Sequence, residues 1–249
     1  MKIIAVYSIK GGVGKTTSAV NLAYLSAKSS KKTLLWDLDS QGASTFYLHK
    51  KQGIDAGIKE IIKGKVDLLD LVIKTGYKQL HLIPSDFSLR NIDTILDDLK
   101  KSNKLLSDAL GQFDNTYDAI FLDCPPGISK LAESIFKAAD VILFPIVPSA
   151  LSLRSYDQVV QFLKGKKSKN VDIVPFLNMV DLRRKLHKEI LEDFQNNMPT
   201  GCVNSIPYLS DIEKMGTTRK PVFESSPGSR AAKAYIRLWW ELEVKLFDK

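Results

Sequence analysis

The chain has 249 residues, of which 44% are hydrophobic and 26% charged, with only 14 Gly, 10 Pro and two Cys. A chain of this length and composition can bury a large apolar core, which excludes disordered, collagen-like and disulfide-scaffold proteins. Lys and Arg number 36 against 28 Asp and Glu, a net charge of +8, and this excess favours a polyanionic partner: nucleic acid, acidic lipid or nucleotide.

Short apolar runs alternate along the chain with segments of helical periodicity. The predicted strands cover residues 3–7, 33–36, 80–83, 119–122, 141–147 and 171–177. The predicted helices cover residues 16–28, 92–110, 130–138, 153–163 and 186–194. Near-continuous apolar strands, such as residues 141–144, are typical of a parallel sheet covered on both faces. The sequence therefore predicts an α/β fold, a single doubly wound and mostly parallel sheet with helices on both faces, in one domain over residues 1–249.

The segment 229–249 predicts a last helix with one apolar stripe. The stripe consists of Tyr235, Trp239, Leu242 and Leu246. Such a stripe fits either a helix that packs on the core or a helix that lies on a membrane surface. The acids Glu241, Glu243 and Asp248 would be repelled by anionic lipid, so the pattern favours core packing.

The cysteine content and the N-terminal sequence indicate the cellular compartment of the protein. Cys124 and Cys202 are too few and too distant in sequence for a four-thiolate metal site, and counting leaves one disulfide between them open. So low a cysteine content favours a reducing setting. The N-terminal apolar run is cut off at Ser8 and Lys10, too early for a signal peptide or a membrane span. We therefore expect a cytoplasmic protein without a stable membrane anchor.

A glycine-rich segment follows the first predicted strand and leads into the first predicted helix. It reads Lys10-Gly11-Gly12-Val13-Gly14-Lys15-Thr16-Thr17. A strand, a glycine-rich turn and a helix form a phosphate cradle, because backbone N–H groups converge on phosphate oxygens at the helix N-terminus. Lys15 would then reach the β and γ phosphates and the Thr16 hydroxyl would bind Mg²⁺. The alternative is a turn without ligand, and the general form G-x-x-x-x-G-K-[ST] is not met because its first glycine would fall at Ser8 or Ile9.

This departure resembles the deviant Walker A motif, K-G-G-V-G-K-T, of the ParA/MinD superfamily of P-loop ATPases. Three further segments resemble motifs of that superfamily in the same order. They are Trp36-Asp37-Leu38-Asp39-Ser40-Gln41-Gly42, the Walker B segment Phe121-Leu122-Asp123-Cys124-Pro125-Pro126, and Ile206-Pro207 on the adenine side. The resemblance implies a slow, Mg²⁺-dependent ATPase with ATP and Mg²⁺ as cofactors, and residues 10–17 as its phosphate-binding loop.

Three aspartates follow predicted strands and are candidates for metal and water chemistry. Asp123 follows a buried strand near Thr16, and its carboxylate would hold Mg²⁺ through a water. Asp37 and Asp39 are two residues apart and therefore face the same way. The resemblance implies that Asp39 orients the attacking water and that Asp37 supports the metal shell. The alternative for this pair is the cap of a helix or a turn.

The superfamily resemblance also implies a dimer, and two predicted strand ends suggest the adenine contacts. Lys10 is similar to the superfamily's signature lysine, which reaches the ATP of the opposite subunit in an ATP-sandwich homodimer; Lys10, Lys15 and Asp39 are thus the expected catalytic residues. Asn178 and Met179 end one predicted strand, and Pro207 ends another near residues 203–206. An amide and a flat apolar face at adjacent strand ends suit adenine, whereas Asn178 as a helix cap is the alternative.

Within the superfamily the chain most resembles the short, Soj-type ParA partition ATPases. The first strand begins close to residue 1, so we expect no N-terminal helix-turn-helix. The resemblance implies non-specific DNA binding on the nucleoid, a ParB-like or cargo-adaptor partner, and segregation or positioning of a plasmid, chromosome origin or protein cargo. The alternative is a MinD-like or secretion/polysaccharide-system ATPase, a nucleotide-switched scaffold without DNA binding.

The predicted DNA contacts lie in two basic segments. Asp181-Leu182-Arg183 is similar to a superfamily segment whose arginine contacts DNA, and Arg184 and Lys185 extend it. The second basic position of the superfamily falls near Asp211 here, a departure for which Lys214 and Arg219 would compensate. The alternative is an ordinary solvated helix face.

Overall fold

The structure is a computed structural model that describes residues 1–49, 60–61, 65–97, 102–165 and 171–247. Seven strands form one sheet in the order β3-β4-β2-β5-β1-β6-β7. The strands are β1 (Lys2–Val6), β2 (Thr33–Asp37), β3 (Ile73–Lys74), β4 (Leu80–Ile83), β5 (Ala119–Asp123), β6 (Val141–Ile146) and β7 (Asp172–Leu177). Six of the seven strands run parallel, and the short edge strand β3 pairs antiparallel with β4.

Helices connect the parallel strands. The α-helices are α1 (Lys15–Lys28), α2 (Ala43–Leu48), α3 (Ile92–Asp97), α4 (Ser102–Gly111), α5 (Lys130–Ala138), α6 (Ala150–Gly165), α7 (Lys185–Asn197), α8 (Ser210–Thr218), α9 (Val222–Ser225) and α10 (Arg230–Phe247). Short 3₁₀ turns cover Leu68–Leu71 and Phe87–Asn91. Parallel neighbours need such crossover connections, because a tight turn can only join antiparallel strands.

The sheet separates two apolar cores, and each strand contributes alternate residues to them. In β1, Ile4 and Val6 face the core that holds α1 and α10, whereas Ala5 faces the core under α5 and α6. All residues of β2, β5 and β6 are buried, which explains why these strands are apolar except at Thr33, Asp37 and Asp123. The predicted parallel sheet with helices on both faces is confirmed.

Two predicted elements differ from the structure. The helix expected at 92–110 is present as α3 and α4, and residues 98–101 lie outside the described residues. The strand expected near 203–206 is wrong: this segment makes one isolated parallel bridge, between Val180 and Pro207, and the Ile206 N–H donates to the Leu177 carbonyl at 2.9 Å. The N–H groups of Val203 and Asn204 donate to the Glu241 carboxylate at 2.9 and 3.1 Å instead of to a strand.

Helix α10 packs on the sheet as the core alternative predicted. Tyr235, Trp239, Leu242 and Leu246 are at most 2% exposed. The Trp239 indole N–H donates to Ser29 Oγ at 2.8 Å, and Glu243 pairs with Lys31. Asp248 lies outside the described residues. Among the described helices, none combines the length and apolar composition that crossing a bilayer requires.

Both cysteines lie inside the protein as free thiols. Cys124 and Cys202 are buried and unpaired, so the disulfide that counting had left open is not formed. Cys124 directly follows β5, and its Sγ contacts the carbonyl of Leu122 at 3.4 Å. Burial raises the pKa of both thiols, which keeps them protonated and unreactive near neutral pH.

Candidate nucleotide-binding site

The glycine-rich loop joins the end of β1 to the start of α1. Gly12 and Gly14 have φ of +70° and +84°, and Gly14 is the N-cap of α1. A Cβ at Gly14 would lie 2.3 Å from Asn178 Nδ2, so the loop packs directly against the end of β7. The first turn of α1 holds no acidic residue, which leaves the positive end of the helix dipole without a compensating side chain of that turn. This arrangement suits an anion at the helix N-terminus.

The loop contains the two predicted catalytic lysines. Lys15 is only 7% exposed, and its Nζ donates to the Lys10 carbonyl at 2.9 Å, so its ammonium lies within the curve of the loop. Burial lowers the pKa of Lys15, and the negative charge of Asp123 partly offsets this effect. Lys10 is half-buried, and its backbone N–H lies 3.4 Å from Ser8 Oγ.

Asp123 ends β5 and has one carboxylate oxygen without a partner. Its Oδ2 accepts a hydrogen bond from Ser44 Oγ at 2.7 Å, whereas its buried Oδ1 has no hydrogen-bond partner in the described part of the chain. Burial raises the pKa of Asp123, and Ser44, the nearby Thr16 hydroxyl and the Lys15 charge lower it. An orphaned buried carboxylate oxygen beside a threonine hydroxyl fits a hard divalent cation such as Mg²⁺.

Few protein side chains are available to a metal ion at this site. In the described ranges, no group of three or more His, Cys, Asp or Glu side chains could hold a metal. Mg²⁺ commonly takes only one or two protein oxygens and completes its shell with substrate phosphates and waters. Asp123 and Thr16 therefore suffice, provided that a nucleotide supplies the remaining oxygens.

Asp37 lies opposite Asp123 on the neighbouring strand and is fully buried. Its Oδ2 accepts from both the N–H and the hydroxyl of Thr45 at 2.8 Å, and its Oδ1 accepts from the Asp39 N–H at 3.3 Å. Burial raises the pKa of Asp37, and the Asp123 charge adds to this effect. Both oxygens thus hold the loop that follows β2. The metal-shell role of Asp37 stays a prediction.

Asp39 lies in a tight turn after β2. Its Oδ1 accepts from the Gln41 N–H at 3.0 Å, and its carbonyl accepts from the Gly42 N–H at 2.9 Å. These bonds, together with those of Asp37, have the turn-capping geometry of the alternative interpretation. They do not conflict with a role in water orientation, because the Asp39 side chain is only half-buried at the carboxyl edge of the sheet.

The three residues predicted to contact adenine line one cleft. Asn178, Met179 and Pro207 surround it together with Thr17 and the start of α8. Asn178 caps no helix: it is 2% exposed, and its Nδ2 donates to the Val13 carbonyl at 2.7 Å, which fixes the phosphate-binding loop. The structure brings these residues together, and their contact with adenine stays a prediction.

Three polar residues of the site were missed by sequence reasoning. Ser44 holds Asp123, and Thr45 holds Asp37, while Ser85 bonds to Thr45 and to the Asp39 carbonyl. Ser85 comes just after β4, at the same edge of the sheet as the two aspartates. Its position after a predicted strand was the available signal, since carboxyl ends of parallel strands share one edge.

The predicted DNA-binding residues are exposed but mostly paired. Arg183 is 84% exposed and binds Asp181 through two hydrogen bonds of 2.8 Å, which lowers the pKa of Asp181 to about 2. Lys185 lies 3.7 Å from Glu189, and Lys214 lies 3.2 Å from Asp211. Arg184 is exposed at the N-cap of α7. The Val180–Pro207 bridge brings the segment of Arg183 beside the segment that leads into α8.

Arg219 differs from the other predicted DNA-binding residues because its guanidinium contacts another part of the protein. Its guanidinium donates to the carbonyls of Phe46 and His49 and lies 4.3 Å from the centre of the Phe46 ring. These contacts tie the end of α8 to the end of α2. Two of its three guanidinium nitrogens are thus engaged within the protein, and a contact of Arg219 with DNA stays a prediction.

Comparison with known proteins shows the family to which the chain belongs. The AAA domain family (AAA_31) matches residues 1–174. The sporulation initiation inhibitor protein Soj of Bacillus subtilis is 29% identical over 243 residues, which cover 95% of this chain and 96% of that protein. A plasmid partition protein from Borrelia burgdorferi, solved with AMPPNP, has a TM-score of 0.82 and 26% identity over 98% of each chain.

A third protein supports the fold. The septum site-determining protein MinD of Pyrococcus horikoshii, solved with Mg-ADP, has a TM-score of 0.79 at 22% identity over 97% of this chain and 96% of that chain. The family match covers more than half of the chain, and its residues include the glycine-rich loop, Asp37, Asp39 and Asp123. The chain therefore belongs to the AAA domain family and is a member of the ParA/MinD superfamily of P-loop ATPases, similar to the Soj-type ParA partition ATPases.

Proposed function

We propose that the protein is a slow, Mg²⁺-dependent partition ATPase of the ParA type. In this proposal it forms an ATP-sandwich homodimer, binds DNA without sequence preference, and segregates or positions a plasmid, chromosome origin or protein cargo when a partner stimulates hydrolysis. The observation that carries the ATPase part is the unpartnered Asp123 Oδ1 beside Thr16, next to a buried Lys15 at a helix N-terminus. The carboxylate oxygen and the threonine hydroxyl suit a cation, and the lysine and the helix N-terminus suit a phosphate group.

Each residue of the site would have a separate role in ATP binding or hydrolysis. Thr16 and Asp123 would hold Mg²⁺, which when bound offsets the negative charge of the β and γ phosphate oxygens. Lys15 would exchange the Lys10 carbonyl for a phosphate oxygen, and the N–H groups of the loop would bind the other oxygens. Asp39 would orient the water that attacks the γ-phosphorus, and residues 178, 179 and 207 would enclose adenine.

The homodimer is supported by the surface around this site. The segments that follow β5, β6 and β7 each expose an apolar side chain: Ile128 is 52% exposed, Leu151 in the first turn of α6 66%, and Leu182 54%. Exposed apolar side chains that surround a functional site are typical of an association surface. Lys10 lies at the carboxyl edge of the sheet, where the partner's nucleotide would be within its reach in a sandwich arrangement.

DNA binding is supported by the net charge of +8 and by the exposed cations of the patch formed by Arg183, Arg184, Lys185 and Lys214. Phosphate contacts from such side chains give affinity without sequence preference, and the affinity falls steeply with salt. The acidic partners of Arg183, Lys185 and Lys214 reduce the charge that the patch offers. This observation favours the second candidate, a nucleotide-switched scaffold without DNA binding.

Binding of long non-specific duplex DNA separates the two candidates. The apo, ADP and ATP states are compared at low and moderate salt, with Asp39→Ala used to retain the ATP state. ParA-type function predicts binding only with ATP, loss of binding as salt rises, and weaker binding by Arg183→Glu. Arg237→Glu, which reverses an exposed arginine on α10, is the matched control and should bind like the parent. Absence of DNA binding in all three states would support the scaffold.

The partner and the location follow from the same proposal. A ParB-like protein or a cargo adaptor would stimulate hydrolysis and release the dimer from the nucleoid. Adding candidate partners to the DNA-bound ATP state, and measuring phosphate release, identifies the partner as the protein that raises the rate. A partner that raises the rate only when DNA is present would also connect both activities in one cycle.

A further inference from the structure

A closed ring of hydrogen bonds surrounds the backbone of Asp39. The Ser85 N–H donates to Thr45 Oγ1 at 2.8 Å, and the Thr45 hydroxyl donates to Asp37 Oδ2 at 2.8 Å. Asp37 Oδ1 then accepts from the Asp39 N–H at 3.3 Å, and the Ser85 hydroxyl donates to the Asp39 carbonyl, which closes the ring. Four residues thus hold one another: one in β2, one in the turn after β2, one in α2 and one just after β4.

The ring is shielded from water on three of its four corners. Asp37 is fully buried, Thr45 is 1% exposed and Ser85 is 5% exposed. Hydrogen bonds in such surroundings are stronger than exposed ones because water does not compete for the donors. Only Asp39 reaches the surface, so the ring fixes the residue that carries the exposed carboxylate.

Both peptide groups next to the Asp39 side chain are constrained by this ring. Its N–H is held from β2 by Asp37, and its C=O is held from the end of β4 by Ser85. The side chain itself accepts a hydrogen bond from the Gln41 N–H within the same turn. The direction of the carboxylate is therefore set by the backbone, and the backbone is set by the ring.

We infer that Ser85 is a positioning residue for Asp39, which it holds through the Asp39 carbonyl in the orientation needed to align the attacking water. The inference rests on the proposed ATPase function and on the role of Asp39 in it. Ser85 acts through Asp39, and Thr45 transmits the same constraint from the other side of the ring.

Loss of the Ser85 hydroxyl should change the rate more than the fold. The Asp39 carbonyl also accepts from the Gly42 N–H, so Ser85→Ala leaves no buried carbonyl unsatisfied. The Ser85 N–H remains and still donates to Thr45. We therefore expect kcat to fall about fivefold to tenfold, the effect of one neutral hydrogen bond, with the Kd for ATP within about twofold of the parent.

The matched control is Ser155→Ala on α6. Ser155 is 6% exposed, and its hydroxyl also donates to a backbone carbonyl, that of Leu151 at 2.8 Å, outside the ring. A second pair tests the other corner: Thr45→Val removes the hydroxyl of the ring, whereas Thr45→Ser keeps it. The inference predicts a lower kcat for Thr45→Val and recovery with Thr45→Ser.

The experiment measures single-turnover ATP hydrolysis with enzyme in excess, so that slow rates are resolved, together with ATP affinity and the unfolding temperature. The double variant Ser85→Ala/Asp39→Ala should be as slow as Asp39→Ala alone, because both changes remove the same water alignment. A further decrease in the double variant, or a Ser85→Ala rate equal to that of Ser155→Ala, would overturn the inference.

The same measurements distinguish this inference from the proposed function. No hydrolysis by the parent protein, or full hydrolysis by Asp39→Ala, contradicts the proposed function, and the role of Ser85 falls with it. A normal parent rate and a slow Asp39→Ala rate support the proposed function, and the Ser85→Ala rate then decides the inference alone.

Discussion

Substituting Gly14 by alanine tests the packing of the phosphate-binding loop against β7. Gly14 has a φ of +84°, and an added Cβ would lie 2.3 Å from Asn178 Nδ2 and 3.3 Å from Met179 Cε. Asn178 cannot withdraw freely, because its Nδ2 donates to the Val13 carbonyl at 2.7 Å and it is 2% exposed. Gly14→Ala therefore combines backbone strain with the loss of a buried hydrogen bond.

The magnitude follows from these two contributions. An alanine in the left-handed region costs about 1–2 kcal/mol. Displacing the Asn178 amide from Val13 adds about 1–3 kcal/mol if the buried groups stay unpaired. The free energy of unfolding should fall by about 2–5 kcal/mol, and for a chain of this size that corresponds to about 5–15 °C in the unfolding temperature.

Two neighbouring glycines provide graded controls within the same loop. No atom lies within 4 Å of a Cβ at Gly12 or Gly11, and of these two only Gly12 has a positive φ, +70°. Gly12→Ala should therefore cost only the strain of about 1–2 kcal/mol, and Gly11→Ala should cost almost nothing. Thermal and denaturant unfolding without nucleotide measure all three, so that effects on ATP binding do not enter.

The contact between residue 14 and Asn178 can be tested with a double variant. Asn178→Ala removes the atom that the new Cβ would meet, so Gly14→Ala should cost less in that background than in the parent protein. Equal unfolding temperatures for Gly14→Ala and Gly11→Ala would refute the reasoning. Additive effects of Gly14→Ala and Asn178→Ala would show that the cost is strain alone.

Three other substitutions test separate parts of the molecule. Lys15→Ala should weaken ATP binding at least about 100-fold, since a buried ammonium hydrogen-bonded to phosphate contributes about 3 kcal/mol, as titration calorimetry would measure. Lys10→Ala should retain ATP binding but remain a monomer with ATP, as light scattering would show; an ATP-dependent dimer would contradict this role. Arg219→Ala should lower the free energy of unfolding by about 1–3 kcal/mol without changing the salt dependence of DNA binding.

The strands and the phosphate-binding loop were predictable because their signals are local. The apolar runs within β2, β5 and β6 follow from burial on both faces of a parallel sheet. The glycines at 12 and 14 do occupy conformations with positive φ, and the following residues do start a helix. In each case the residues whose pattern supports the prediction are the same residues that form the strand or the loop.

The pairing of the basic residues could not be predicted in the same way. Arg219 contacts carbonyls about 170 positions earlier in the chain, and no local pattern distinguishes it from Lys214, which is paired three residues away. The strand wrongly predicted at 203–206 has the same origin, because the N–H groups of Val203 and Asn204 bond to Glu241 on the last helix, whereas that of Ile206 bonds to β7. Contacts between distant segments decide these roles, and the sequence does not specify them locally.

The register of three adjacent strands accounts for the geometry of the whole site. Val6 pairs with Asp123 across β1 and β5, and Asp123 pairs with Asp37 across β5 and β2. The phosphate-binding loop, the orphaned carboxylate and the support of Asp39 therefore start from one row of the sheet. A slip of one residue in β5 would turn the Asp123 side chain to the opposite face. The cores on both sides of β5 oppose that slip, because Phe121 belongs to one core and Ile120 and Leu122 to the other. The packing of these apolar side chains, which take no part in the proposed reaction, thus fixes the position of Asp123 beside the glycine-rich loop.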